Sequence, residues 1–270
     1  MTTNHTGDGS GGFDNVYPLM VDSDSPNALL FRVPFEQLAN NLDNVRTTPV
    51  QRPESYAEIR DDFIGCVFDS TTDVLHSALP WQVTSTENAV PGTDAANGHP
   101  GTVTASLLAT EEFEMELAGE QNNIRWGNLQ DATFAVRMTS TDFTDAELFV
   151  GLAENFELAS VGNNAVGLWF EHGTESDQWL IRHKVGGVDD ATITAKFVGS
   201  TIWATLKLRR ISATQVEVYL FDDLVATLTD GVDAPADSAL LTVGMIAKAG
   251  SAAAMTPALD LVYVRWDLPR

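Results

Sequence analysis

One cysteine, Cys66, stands in a chain of 270 residues. A single thiol excludes an intramolecular disulfide framework and a thiolate-held zinc centre; within "FIGCVF" it reads as a small core residue. Positive charge is also scarce. Against 38 Asp and Glu there are 15 Lys and Arg, which leaves a formal net charge of −23. Such a chain repels a phosphate backbone and has few cations with which to displace counterions, so nucleic acid and anionic membrane are excluded as partners. There is no uninterrupted apolar run long enough to cross a bilayer. The opening "MTTNHTGDGSGGFDN" lacks the basic-then-apolar pattern of a secretory leader, so synthesis in a cytoplasm is expected. Nor is there a Gly-rich phosphate loop, a Ser/His/Asp signature or an internal repeat.

Two regions remain. Residues 1–59 begin with a Gly, Ser, Thr and Asp tail that cannot bury enough surface to order itself. An extended, proline-punctuated stretch follows, with one short helix expected near 34–45. There Phe35, Leu38, Leu42 and Val45 fall at i, i+3, i+7 and i+10, a stripe on one helical face, with Pro34 acceptable in the first turn. At about three turns this helix is marginal alone in water. The stripe calls for a partner, either the main domain or copies of itself around a symmetry axis.

Residues 60–270 read as many short strands, with Gly, Asp, Asn and Pro between them. Strands are expected near 61–68, 80–84, 101–108, 112–117, 132–140, 146–153, 165–171, 178–184, 190–197, 202–211, 214–221, 224–229, 239–248 and 258–266. Recurring at intervals of roughly ten residues, they predict an all-β antiparallel sandwich or jelly roll. In "IWATLKLRRISATQVEVYLFDDLVATLT", Leu206, Leu208 and Arg210 alternate with Lys207, Arg209 and Ile211. Val216, Val218 and Leu220 then alternate with Glu217, Tyr219 and Phe221, and Asp222-Asp223 is expected to make a tight reversal, completing a three-strand meander.

Several stretches taken in order resemble one family. "DDFIG" opens the domain, and "GHPGTVTASL" precedes an acidic strand. "NAVGLWFEHGTESDQWLIRHKVGG" looks like a hairpin with a tryptophan on its return strand. "STIWATLKLRR", "QVEVYLFDDLVATLT", "SALLTVGMIAKAG" and the closing "LDLVYVRW" follow. This order resembles the concanavalin A-like, or laminin G-like, jelly-roll domains of bacteriophage virion proteins. The resemblance implies a lectin-like sandwich on a virion surface, with major capsid protein or other virion proteins as partners. Residues 17–46 also resemble short attachment segments of phage fibre and head proteins.

The strand "EEFEMELAG" carries the sharpest chemical question. Alternation puts Glu112, Glu114 and Glu116 on one face and Phe113, Met115 and Leu117 on the other. Some glucanases with this sandwich carry E-x-D-x-E, whose outer glutamates are nucleophile and acid/base. By that likeness Glu112 and Glu116 are the catalytic candidates, with carboxylates about 5 Å apart needed for retention. Glu114 departs from the central Asp of the pattern, and a half-wet sheet accounts for the alternation equally. The acidic face is therefore expected to turn to water or to a neighbouring subunit.

Other candidates are weaker. His172 and His183 flank the "GTESDQ" reversal without a third ligand and read as surface hairpin positions. Asp222, Asp223, Asp230, Asp233 and Asp237 crowd adjacent loops and offer oxygens for Ca²⁺ without EF-hand spacing, so they read as solvated acids. Trp169, Trp179, Trp203 and Trp266 read as sandwich core. Trp81 and Trp126, in less regular stretches, are the two candidates for stacking a sugar. No cofactor or metal is expected.

The expected function is that of a non-enzymatic capsid decoration, or cement, protein. Its N-terminal segment would dock on the particle, and Phe35, Leu38, Leu42 and Val45 of three copies would meet in a homotrimer. The alternatives are a tail fibre recognising host glycan and a glycoside hydrolase using Glu112 and Glu116.

Overall fold

A computed structural model describes residues 3–5, 17–19, 56–64, 66–85, 91–93, 101–117, 124–158, 160–171, 178–197 and 203–268. It divides the chain into two units, 1–55 and 56–270. In the first, β1 (Thr3–His5) and β2 (Tyr17–Leu19) form an antiparallel pair. The helix expected over 34–45, with Phe35, Leu38, Leu42 and Val45, lies outside the described residues.

The second unit runs through β3 (Tyr56–Asp61), β4 (Val67–Asp69), β5 (Val74–His76), β6 (Pro80–Ser85), β7 (Pro91–Thr93), β8 (Val103–Ala105) and β9 (Glu112–Leu117). It continues through β10 (Ile124–Arg125), β11 (Leu129–Ser140), β12 (Glu147–Ala153), β13 (Phe156–Glu157), β14 (Ser160–Val161) and β15 (Ala165–Glu171). It closes with β16 (Gln178–Val185), β17 (Val188–Phe197), β18 (Ala204–Ser212), β19 (Gln215–Leu220), β20 (Asp223–Thr229), β21 (Leu240–Lys248) and β22 (Met255–Asp267).

Two antiparallel sheets form the sandwich. The larger has the order β17-β16-β15-β12-β21-β9-β6-β5-β4, with β10 also on β21; the smaller has β20-β19-β18-β11-β22-β8-β7, with β3 also on β22. Sequential neighbours seldom sit side by side across the middle of either sheet, which is the mark of a jelly roll rather than a simple meander. The strand β11 shows why the sheets face each other. Ala132, Phe134, Val136 and Met138 point inward and are buried, while Thr133, Ala135, Arg137 and Thr139 alternate with them on the wetter face. Phe113, Met115 and Leu117 of β9 enter the same core.

Two strands break the alternation. Apart from Glu147, every residue of β12 is buried, as is nearly all of β21. Leu148, Val150 and Leu152 belong to the main core, whereas Phe149 and Ala153 join a separate apolar cluster with Phe156, Val161, Ala165, Trp169, Leu180 and Ile246. A continuous apolar strand is buried on both faces. The small hairpin β13–β14 covers the outer one.

Three local expectations change. The strand expected at 61–68 is broken after Asp61, because Phe63 takes a left-handed φ of 52°. The buried Asp61 carboxylate holds that bend, accepting from Phe63 N–H at 2.9 Å, from Trp81 Nε1 at 2.8 Å and from Ser77 Oγ. The sandwich therefore begins with β3 at Tyr56, ahead of residue 60. The reversal expected at Asp222-Asp223 sits one residue earlier, with Phe221 at φ 53° and Asp222 at φ 65° and Leu220 facing Asp223. Two consecutive left-handed residues are what a type I′ hairpin turn demands.

Candidate functional site

The candidate site is the outer face of the larger sheet, where the glutamate strand lies. Strand register sets its rows. Glu112 faces Lys248, which faces Glu147. Glu114 faces Ile246, then Phe149, then Trp169, then Leu180. Glu116 faces Gly244, Gly151, Gly167 and finally Arg182. Polar, aromatic and glycine rows thus run across the strands.

The three glutamates are not equivalent. Glu112 lies 3.8 Å from Lys248 Nζ, which also stands 4.0 Å from Glu147. Glu114 is 7% exposed, and its carboxyl is pushed up to about 7 by burial first, then by the neighbouring charges of Glu116 and Glu157. Burial also raises Glu116, opposed by a hydrogen bond from the Phe156 backbone N–H. The acidic face expected to be wet is therefore covered at its centre. Residue Phe156 of the hairpin lies over Gly244, where an added Cβ would sit 2.8 Å from the ring. Its ring centroid is 6.1 Å from that of Phe149.

For the catalytic candidates this arrangement is unfavourable. Glu112 is drawn to Lys248, Glu116 is partly buried opposite Gly244 where the Phe156 ring packs, and a buried Glu114 stands between them. Retention needs two carboxylates bracketing a sugar from open space. At the other side of the face, the Arg182 guanidinium stacks on Trp169 at 4.2 Å and donates from Nε to both Asp189 oxygens at 3.0 Å. Glu147, Phe149, Trp169, Arg182, Ile246 and Lys248 border a shallow depression there.

Both tryptophans expected to stack sugar are corrected by burial. Trp81 and Trp126 are 0% exposed, so neither ring has a face to offer a ligand. Each is held through its indole N–H, Trp81 by Asp61 and Trp126 by Asp230 Oδ1 at 2.6 Å. Asp230 is likewise no solvated loop acid. It pairs with Arg210 at 2.9 Å, the two side chains being 6% and 5% exposed. Arg210 further donates to the carbonyls of Leu129 at 2.9 Å and Trp126 at 2.8 Å. Asp237 is engaged by Arg125. Among the described residues no group of three or more His, Cys, Asp or Glu is placed to hold a metal ion. His183, expected at the surface, is 3% exposed, whereas His172 lies outside the described residues.

Sequence reasoning missed the hairpin and the Trp169–Arg182 stack. The signal for the first was present: "ELFVGLA" is apolar at both parities, so some element had to cover its second face.

No family model matches the chain, and no curated protein matches its sequence. Solved structures do match it. A Shewanella oneidensis MR-1 protein of unknown function aligns at 14% identity over 87% of this chain and 94% of its own, with a TM-score of 0.56. The Emp47p carbohydrate recognition domain aligns at 10% identity over 80% of this chain and 96% of its own, also at 0.56. Peanut lectin aligns at 13% identity over 80% and 99%, at 0.51. The fold is a lectin-like, concanavalin A-type jelly roll. At such identities the likeness establishes architecture and leaves function to the site.

Proposed function

We propose that this chain is a non-enzymatic bacteriophage virion protein of the capsid decoration kind, docking through residues 1–59 and displaying its lectin-like sandwich outward. The observation that carries the non-enzymatic part is the covered acid face: Glu114 is 7% exposed, and the hairpin residue Phe156 packs over Gly244, the residue opposite Glu116. The virion placement is supported by the ordered motifs of the sequence and by the net charge of −23, which suits a crowded, soluble surface. Three copies joined through Phe35, Leu38, Leu42 and Val45 would give that apolar stripe a partner. Quantitative mass spectrometry of purified virions tests the placement. Hundreds of copies per particle are expected, together with weaker shells when the protein is removed. A few copies at the tail would instead identify a fibre.

A second reading is favoured by the fold. Emp47p's domain recognises carbohydrate and peanut lectin is a lectin, which supports glycan recognition by this sandwich. Screening the full chain on a glycan array tests it. Binding that competes with adsorption supports a receptor-binding role, and no binding at millimolar sugar rejects it. Release of reducing sugar that disappears in Glu112→Gln or Glu116→Gln would overturn the non-enzymatic reading.

A further inference from the structure

The hairpin β13–β14 is bound to the sandwich by two unlike sets of contacts. The first is apolar. Phe156 and Val161 sit in the outer cluster with Phe149, Ala153, Ala165, Trp169, Leu180 and Ile246. The glycine at 244 lets the Phe156 ring approach the sheet. The second is polar. Lys184 Nζ donates to the Val161 carbonyl at 3.1 Å.

Beneath the hairpin the charges are one-sided. Glu114 is flanked on its own strand by Glu112 and Glu116, and Glu157 approaches from the hairpin. The adjoining strand β6 presents Gln82 and Thr84, which are uncharged. On β21 the residue opposite Glu114 is Ile246, and Lys248 beyond it is shared between Glu112 and Glu147 of β12. The charges that act appreciably on Glu114 are thus Glu116 and Glu157, both negative. Burying an ionised carboxylate beside two others is costly, whereas its neutral form fits an apolar covering.

We propose that this hairpin is a proton-sensitive strap: protonated Glu114 seats it on the outer face, and ionised Glu114 beside Glu116 and Glu157 loosens it, uncovering Phe149, Trp169 and Ile246. The sign follows from linkage. An open hairpin returns Glu114 to water and its ordinary acidity near 4.5, while the seated form holds the proton up to about 7. Between those limits the seated form binds more protons, so rising pH favours opening; above about 7 both forms are ionised and the balance levels off. The device is independent of whether the sandwich binds glycan.

Hydrogen exchange of the full chain from pH 5 to pH 8, normalised to intrinsic exchange rates, tests it. In peptides spanning 154–161, protection should fall by up to about tenfold per pH unit toward neutrality and then level off. Peptides from β18 and β19 should hold constant. Glu114→Gln should give high, pH-independent protection, and Glu157→Gln should make the wild-type slope shallower. Flat protection in the wild type would overturn the strap, as would a slope that survives Glu114→Gln or one shared equally by β18 and β19.

Discussion

Arg210 shows how one buried charge can organise a corner of the sandwich. It ends the inward row Leu206, Leu208 of β18, a position where the alternation calls for an apolar side chain. There its guanidinium meets Asp230 at 2.9 Å, the backbone carbonyls of Leu129, Trp126, Ser212 and Ala213, and the Trp126 ring, whose centroid is 5.6 Å away. Removing one partner of such a pair strands the other charge away from water. Asp230→Asn should therefore cost about 3–5 kcal/mol in urea denaturation. A loss below about 1 kcal/mol would mean that the pair is solvated in solution. Glu114 carries the opposite lesson, because its native carboxyl is raised from 4.5 to about 7. The folded state is penalised once the unfolded chain has ionised, so stability falls as pH rises from about 4.5 to about 7 and stays lower above. Glu114→Gln removes the penalty. At pH 8 the variant should be more stable by about 1–2 kcal/mol, and at pH 4 equal to the wild type, as read from paired denaturation curves.

At the scale of elements, the turn between β19 and β20 gives a clean test of backbone physics. Asp222 is exposed at φ 65°, and Leu220 pairs with Asp223 across a two-residue loop. Glycine enters that conformation without steric cost, so Asp222→Gly should raise stability by about 0.5–1 kcal/mol, seen as a higher melting temperature. A decrease would show that the Asp side chain supports the turn. The outer face makes the reverse case. A Cβ on Gly244 would lie 2.7 Å from the Met115 carbonyl and 2.8 Å from the Phe156 ring. Gly244→Ala should unseat the hairpin and speed exchange in 154–161 and, through the Met115 carbonyl, along β9 and β21, while β18 and β19 keep their protection. Most strands were legible because alternation reports one-sided burial, as in β11 and β19. Long-range partners were not. Nothing local in "DDFIG" tells that Asp61 would receive Trp81, and nothing in "TDG" tells that Asp230 would receive Arg210 and Trp126. The acid strand was read correctly for direction and wrongly for solvent, since its cover comes from residues some forty positions later.

For the whole molecule, the unit 56–270 contains both sheets and the buried core, and the proposed docking function rests on what precedes it. A sandwich with its own core should fold without the first 55 residues. The truncated chain 56–270 should therefore keep its far-ultraviolet β signature and its melting temperature within a few degrees. Association should behave differently. If Phe35, Leu38, Leu42 and Val45 join three copies, the full chain should run as a trimer in light scattering, whereas 56–270 and a Leu38→Asp, Leu42→Asp double variant should run as monomers. Salt sharpens the test. Each copy carries a formal charge of −23, so assembly works against mutual repulsion, and raising ionic strength from about 0.05 M to 0.5 M should tighten the full-length trimer. A monomeric full chain at micromolar concentration in high salt would remove the trimer from the proposal. Docking would then have to rest on contacts with the particle alone.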